Sequence, residues 1–120
     1  MLVEDNFINA EIATEILSMT GAQIDTAENG QIAVDKFSQS KVGFYDVILM
    51  DVQMPIMDGY AATRAIRALP RPDAAEIPIL AMTANTFAED IARAHEVGMN
   101  GHIAKPIDIP KLMQMLRQTI

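Results

Sequence analysis

Two patterns of apolar and polar residues alternate along the chain: short continuous apolar runs, and longer segments with helical spacing. The clearest run, residues 47–50, reads Val-Ile-Leu-Met and stops at Asp51. A continuous apolar run bounded by turn signals is typical of a strand buried on both faces of a parallel sheet. Similar runs are found at residues 1–3, 22–27, 78–83 and 102–105. The pattern therefore predicts five strands, with the third at residues 46–51.

Segments with helical spacing follow each strand. They predict helices at residues 7–20, 31–38 and 59–69, a fourth helix that opens at Thr86 and ends near Gly98, and a fifth at residues 109–120. Asn6 and Asp108 are suitable N-caps for the first and last helices. Thr86 and Glu89 match a capping box that opens the fourth helix. Asp58 precedes Gly59, and we expect it to cap the third helix and to have no chemical role.

Strict alternation of strands and helices with short connections predicts the fold class. We expect an α/β protein of the flavodoxin-like, doubly wound type, with a five-stranded parallel sheet in the order 2-1-3-4-5. Five helices would cover both faces, and residues 1–120 would form one domain. Because residues 1–3 are short for a central strand, we expect the first strand to be truncated and the chain to be part of a larger protein.

Composition narrows the functional classes. Half of the 120 residues are hydrophobic, no cysteine is present, and the formal charge is −7. A negative field repels nucleic acid, so we expect no nucleic-acid binding by this domain. No apolar run is long enough to cross a bilayer and no secretory signal is evident. We expect a cytoplasmic domain without direct membrane contact, on its own or as the cytosolic part of a membrane-anchored sensor.

Polar residues follow the predicted strands at one edge of the sheet. Glu4 and Asp5 follow the first strand, while Asp51, Thr83 and Lys105 end the third, fourth and fifth. Three crowded carboxylates require a counter-charge, and a hard cation such as Mg²⁺ prefers oxygen ligands. A lysine and a hydroxyl would bind an anion. Together these groups indicate phosphoryl transfer onto an aspartate.

Four motifs now identify a family resemblance that covers nearly the whole chain. They are Glu4-Asp5-Asn6, the stretch MDVQMPIMDG at 50–59, MTAN at 82–85 and GHIAKP at 101–106. Together they resemble the receiver domain of two-component response regulators. The wording of the motifs is most similar to receivers of hybrid sensor histidine kinases.

The resemblance implies a role for each acidic residue at this edge. Asp51 would accept a phosphoryl group from a phosphohistidine of a histidine kinase or a histidine-phosphotransfer domain. Asp5 and Asp51 would bind Mg²⁺ directly, and Glu4 would bind it through water. Gln53 would contribute its backbone carbonyl. The implied catalysis is limited to self-phosphorylation and autodephosphorylation, and the larger protein would be a hybrid histidine kinase.

The resemblance also implies a switch. Lys105 would bridge to the phosphoryl group, Thr83 would move to meet it, and the Lys105-Pro106 peptide bond would be cis. Receivers usually have Tyr or Phe at the position of His102, so the aromatic part of the switch is in question. We favour a passive, partly exposed His102 over a pH-sensitive element.

Partner surfaces follow from the same resemblance. Partners of receivers dock near the first helix, and receivers can also pair with a second copy through their own surface. For Ile8, Ile12 and Met19 we favour a core or half-buried position, and the alternative is a patch that receives the partner helix with the donor histidine.

Two other functions remain to be distinguished. An aspartate-nucleophile phosphatase typically has a second Asp two residues after its nucleophile, where this chain has Gln53. A pseudo-receiver that only binds partners typically lacks one of the acids or the lysine, and this chain retains them.

Overall fold

A computed structural model describes residues 1–83, 88–104 and 108–119. Strands and helices alternate throughout these residues, as the sequence predicts. The strands are β1 (Leu2–Val3), β2 (Thr26–Ala27), β3 (Ile48–Asp51), β4 (Ile79–Thr83) and β5 (Gly101–Ala104). The helices are α1 (Phe7–Ser18), α2 (Gly30–Gln39), α3 (Gly59–Arg67), α4 (Ala88–Val97) and α5 (Ile109–Thr119).

The five strands form one parallel sheet in the order β2-β1-β3-β4-β5. This confirms the predicted fold class and strand order. β1 pairs with both β2 and β3, so the point where the strand order reverses lies between β1 and β3. Open α/β sheets bind their ligands outside the carboxyl ends of the strands at such a point.

Alternate residues of the central strands build two cores, one on each face of the sheet. Ile48 and Met50 pack into the first core with Phe37 and Ile66. Leu49 packs into the second with residues of β4, α1 and α5. Fully burying one such side chain contributes about 1.5–3 kcal/mol. All four residues of β3 are buried, which explains its continuous apolar run.

Local capping defines where the helices begin. The side chains of Asn6, Asn29 and Asp58 each accept a hydrogen bond from the backbone N–H three residues later, at 3.0, 2.9 and 2.8 Å. Asp108 accepts one from Lys111 at 3.3 Å. The predicted caps at residues 6, 58 and 108 are confirmed. The capping box at Thr86 lies partly outside the described residues.

β2 is shorter than the sequence predicts. The predicted strand covers residues 22–27, but the ladder contains only Thr26 and Ala27. Leu2 N–H adds one bond to the carbonyl of Asp25, at 2.8 Å. Ala22 and Gln23 are exposed, because β2 is an edge strand whose first residues have no sheet to pack against.

The favoured interpretation of Ile8, Ile12 and Met19 is wrong. Their side chains are 65%, 53% and 86% exposed. α1 buries only Ala13 and Leu17, because the sheet covers one narrow side of the helix. Met19 lies beyond the last residue of α1 and follows the exposed end of the helix.

His102 is partly exposed, as the sequence analysis favours. His95 is exposed on α4 and His102 is half-buried on β5.

Among the described residues, no helix is long and apolar enough to span a membrane.

Candidate phosphoacceptor and metal site

Three carboxylates meet at the carboxyl end of the sheet. Asp51 is the last residue of β3, and Glu4 and Asp5 directly follow β1. The carboxylate oxygens that they offer all lie within 4.8 Å of one another. Asp51 and Glu4 are buried, while Asp5 is exposed at the mouth of the crevice. The predicted convergence of these three acids is therefore present in the structure.

Backbone hydrogen bonds hold the β1–α1 turn in place. The N–H of Glu4 donates to the carbonyl of Ala27 at 3.0 Å, which continues the β1–β2 pairing by one residue. One carboxylate oxygen of Glu4 accepts from the N–H of Asn6 at 3.3 Å. Asn6 in turn caps α1. These bonds tie Glu4 both to β2 and to the start of α1.

Thr83 ends β4 beside this acidic group. It is 8% exposed and is paired in the sheet register with Ala104, the last residue of β5. Lys105 is the next residue in the chain, but it lies outside the described residues, as do Pro106, Ala84 and Asn85. The role of Lys105 and the cis Lys105-Pro106 bond remain predictions from the sequence.

A cleft of about 550 Å³ opens over the carboxyl ends of β3 and β4. Its lining includes the predicted site residues Asp5, Gln53 and Thr83. Gln53 is exposed in the loop after β3, and Asp58 lines the cleft while it caps α3. The cleft connects the acidic group with the first turn of α3 and with α4.

Tyr60 and Arg93 also line this cleft, and sequence reasoning missed both. The guanidinium carbon of Arg93 lies 4.7 Å from the centre of the Tyr60 ring. The Tyr60 hydroxyl donates to the backbone carbonyl of Asp90 at 3.4 Å. Burial, followed by the charge of Asp90, raises the pKa of Tyr60, and Arg93 opposes the rise. The pair connects α3 with α4 across 33 residues, so no local pattern could indicate it.

The loop between β3 and α3 has a strained backbone. Ile56 has φ +70°, a conformation that β-branched residues rarely adopt. Its side chain is 83% exposed, so no burial of this side chain offsets the strain. Strain of this kind typically costs about 1–3 kcal/mol and is concentrated at functional sites.

The donor chemistry fits a hard divalent cation. All three clustered side chains are carboxylates, and no described histidine belongs to the cluster. Mg²⁺ prefers oxygen ligands and usually keeps several waters, which the open side at Asp5 would admit. Glu4, Asp5 and Asp51 are therefore the residues that could hold Mg²⁺.

The fold and this acidic crevice are those of a phosphoacceptor domain. Residues 1–117 match the model of the response regulator receiver domain. The chain belongs to the receiver family. Within that family it is most similar to the receiver domains of hybrid histidine kinases.

Two curated relatives illustrate this similarity. The chain is 42% identical to hybrid signal transduction histidine kinase B of Dictyostelium discoideum, in a match that covers 98% of this chain and 6% of that protein. It is 36% identical to histidine kinase 5 of Arabidopsis thaliana, over 98% of this chain and 15% of that protein. The chain thus spans only a small part of these relatives.

Solved structures support the same placement. The receiver domain of a Pseudomonas aeruginosa sensor histidine kinase, described with a magnesium ion in its active-site cleft, is 36% identical with a TM-score of 0.87. That match covers 98% of this chain and 93% of the other. A chemotaxis protein of Vibrio cholerae is 28% identical with a TM-score of 0.89, over 99% of this chain and 95% of the other.

Proposed function

We propose that Asp51 is the phosphoacceptor of this receiver domain and that a phosphohistidine is its donor. The observation that carries the proposal is the meeting of three carboxylates at the strand ends, with Asp51 buried at the end of the central strand β3. Receivers of hybrid kinases take phosphoryl groups from histidine kinases or phosphotransfer proteins. The donor of this chain would thus be a histidine kinase or a phosphotransfer protein.

The proposed reaction is a single phosphoryl transfer. A carboxylate oxygen of Asp51 attacks phosphorus and forms a P–O bond as the P–N bond of the phosphohistidine breaks. The electron pair of the P–N bond goes to the ring nitrogen. A proton already on the second ring nitrogen lets the imidazole leave as a neutral group. The product is an aspartyl phosphate, and attack by water returns Asp51 and inorganic phosphate.

Asp5 and Asp51 would hold Mg²⁺ directly, with Glu4 acting through water and Gln53 through its backbone carbonyl. When bound, the ion supplies positive charge that offsets the charge of the transferred phosphoryl group. Asp5 is exposed, so it can bind the ion while the buried Asp51 stays aligned for attack. Burial of Asp51 also limits the access of water.

The proposed output is a change in protein surface. A dianion at Asp51 would attract Lys105 and the hydroxyl of Thr83, and the segment after β4 would follow Thr83. α4 contacts α3 through Tyr60 and Arg93, so this pair would register such a movement. We propose that His102 takes no active part in this switch, because it is half-buried beside α5 and does not line the cleft.

The exposed apolar residues of α1 would form the docking face for the donor. Ile8 and Ile12 on α1, and Met19 directly after its last residue, are solvent-exposed, and α1 begins beside the acidic crevice. We also propose a cytoplasmic setting, because the proposed donor is a histidine kinase or a phosphotransfer protein.

Phosphorylation in the presence of Mg²⁺ tests the proposal. A phosphohistidine donor should label the wild type at Asp51, and Asp51→Asn should abolish the label. Asp58→Asn is a matched control, because asparagine caps a helix as well as aspartate does. Label that persists in Asp51→Asn, or that is absent from the wild type, would overturn the proposal.

The same assay separates the other two functions. A pseudo-receiver would take no label, and its acids would have no reason to converge within 4.8 Å. An aspartate-nucleophile phosphatase would release phosphate from small phosphoesters in many turnovers. Gln53 stands where such an enzyme has its second aspartate, so neither alternative is favoured.

A further inference from the structure

The cleft over the carboxyl ends of β3 and β4 is lined by acids and a single described cation. The side chains of Asp5, Asp58 and Asp90 belong to its lining, and Arg93 is the only described lysine, arginine or histidine among them. Asp51 lies in the carboxylate cluster that includes Asp5. A phosphoryl donor is an anion, so these carboxylates repel it. A cation in this lining therefore favours the entry of the donor.

The ring of Tyr60 holds the guanidinium of Arg93 in place. The guanidinium carbon lies 4.7 Å from the ring centre, and a cation over a ring face is attracted by the ring electrons. Tyr60 is itself fixed, because its side chain is buried and its hydroxyl donates to the Asp90 carbonyl at 3.4 Å. The buried ring thus limits where the otherwise exposed Arg93 can lie.

The same ring is closely connected with the phosphoacceptor. Tyr60 directly follows Gly59, whose N–H donates to the Val52 carbonyl at 2.9 Å. A Cβ on Gly59 would lie only 2.3 Å from the backbone carbonyl oxygen of Asp51. The first turn of α3 therefore packs on Asp51 and supports, one residue later, the ring that holds Arg93.

The N–H donors of Arg93 remain available to an acceptor in the cleft. Asp90 precedes Arg93 by three residues on α4, yet the described residues form no ion pair and no hydrogen bond with this guanidinium. Contact with a ring face uses the positive charge and leaves the N–H groups for other acceptors. A guanidinium can donate to two phosphate oxygens in parallel. A phosphoryl group that enters the cleft is the acceptor that this arrangement suits.

We propose that Arg93, held over the ring of Tyr60, binds the phosphoryl oxygens of the incoming donor before transfer. This inference rests on the proposed function, since the donor is the one whose phosphoryl group Asp51 accepts. Arg93 would be a substrate-binding residue that sets the affinity for the anion, and the attack on phosphorus belongs to Asp51. Loss of binding that is equal in the ground state and the transition state raises KM and leaves the maximal rate unchanged.

A series of charges at position 93 tests the proposal. The variants are Arg93→Lys, Arg93→Met and Arg93→Glu, and the matched controls are the same three substitutions at Arg64, which is exposed on α3 and does not line the cleft. Acetyl phosphate is the phosphoryl donor, because it is small and anionic and has no protein surface of its own. The rate of phosphorylation is measured against its concentration in the presence of Mg²⁺ at constant ionic strength, which separates KM from the maximal rate.

KM should rise as the charge at position 93 falls. Arg93→Met should raise it about fivefold, as expected for the loss of one unit charge about 4 Å from the anion in water. Arg93→Glu should raise it further, and Arg93→Lys should retain most of the wild-type affinity. The maximal rate should stay the same throughout, and the Arg64 series should leave KM unchanged. Tyr60→Phe keeps the ring, so it should also keep the wild-type KM.

A second measurement needs no phosphoryl transfer. Inorganic phosphate is titrated into the isotope-labelled chain in the presence of Mg²⁺, and the side-chain Nε–H signals of the arginines are followed. The Arg93 signal should shift and saturate, and the Arg64 signal should not. No response at Arg93 would overturn the inference.

Equal rises of KM in the two charge series would also overturn it, because net charge alone would then explain them. A lower maximal rate at unchanged KM would do the same, since Arg93 would then act after binding. If wild type is phosphorylated at Asp51 while any of these results is found, only the role of Arg93 is wrong. If neither acetyl phosphate nor a phosphohistidine donor labels wild type, the proposed function is wrong, and the phosphate titration still tests anion binding by Arg93.

Discussion

Gly59 lies so close to Asp51 that a methyl group on it would collide with the Asp51 backbone carbonyl. The first turn of α3 is therefore packed against the last residue of β3. A hydrogen bond from the Gly59 N–H to the Val52 carbonyl, at 2.9 Å, holds the two elements together. The beginning of α3 thus fixes where the proposed phosphoacceptor lies.

Gly59→Ala should displace the backbone of Asp51. We expect it to lower the free energy of unfolding by about 1–3 kcal/mol, as overpacking does elsewhere. It should also slow the phosphorylation of Asp51 by phosphoramidate, a small phosphoryl donor. Urea unfolding and the labelling rate measure the two effects.

Gly101→Ala is the control for that substitution. The atoms nearest to its added methyl would be the ends of the Leu80 and Met115 side chains, at 3.3 Å and beyond, and these can move. It should leave the labelling rate unchanged. If Gly59→Ala labels as fast as Gly101→Ala, the tight packing at Asp51 has no functional consequence.

Arg67 forms hydrogen bonds with three parts of the fold, so its replacement should lower the free energy of unfolding. Its guanidinium donates to the carbonyls of Ala74 at 3.0 Å, Ile77 at 2.7 Å and Gly98 at 2.8 Å. It also donates to the Asn100 side chain at 2.8 Å. Burial lowers the pKa of Arg67, so these bonds must offset the cost of burying the charge.

Arg67→Met should lower the free energy of unfolding by about 2–3 kcal/mol, because several acceptors lose their donor at once. Arg64→Met, on the exposed side of α3, should change it by less than about 0.5 kcal/mol. Denaturant unfolding of both variants measures the difference. Equal effects would show that the hydrogen bonds of Arg67 add little to stability.

Asp5 should contribute to metal binding. Asp5→Asn removes one of three clustered carboxylates, and we expect Mg²⁺ affinity to fall about tenfold or more. A Mg²⁺ titration followed at the amides of Asp51 and Gln53 measures it. Glu28→Gln is the control, since it removes an equal charge from the exposed residue after β2, outside the carboxylate cluster. Equal losses in the two variants would indicate a diffuse field without a defined site.

The sequence predicts what depends on neighbours in the chain. The caps at Asn6 and Asp58 rest on residues three positions apart, and both are confirmed. The buried third strand is also confirmed, since the apolar run before Asp51 is typical of a covered strand and all of β3 is buried. The meeting of Glu4, Asp5 and Asp51 follows once the strands are parallel and in order 2-1-3-4-5.

The sequence fails where packing between distant segments decides. Ile12 has the right spacing for the core, yet its side of α1 faces solvent, because no described segment covers it. The Tyr60–Arg93 contact joins two helices, and neither residue is unusual in its own segment. Periodicity shows that a helix has an apolar side, but only the assembled fold shows which part is covered.

Tyr45 and Asp25 form a polar pair at the opposite end of the sheet from Asp51. The Tyr45 hydroxyl donates to one carboxylate oxygen of Asp25, and Lys36 binds the other at 3.0 Å. The hydrogen bond from Tyr45, followed by Lys36, lowers the pKa of Asp25. Burial, followed by the hydrogen bond to Asp25, raises the pKa of Tyr45 to about 12.

These two shifts predict a loss of stability at both extremes of pH. Below its unfolded pKa of 3.8, Asp25 binds more protons in the unfolded chain, so stability falls as pH falls through the lower folded pKa. Between 10 and about 12, Tyr45 loses its proton in the unfolded chain first, so stability falls as pH rises.

Tyr45→Phe should remove the alkaline loss that belongs to Tyr45 and weaken the acidic one, and urea unfolding against pH measures both. The comparison is best made in a Tyr60→Phe background. Tyr45 is then the only tyrosine in the chain, and its tyrosinate absorbance reports its pKa directly. The contradicting result has two parts: a Tyr45 pKa near the ordinary value of 10, and equal alkaline stability of Tyr60→Phe with and without Tyr45→Phe. It would show that the Tyr45–Asp25 hydrogen bond is not maintained in solution.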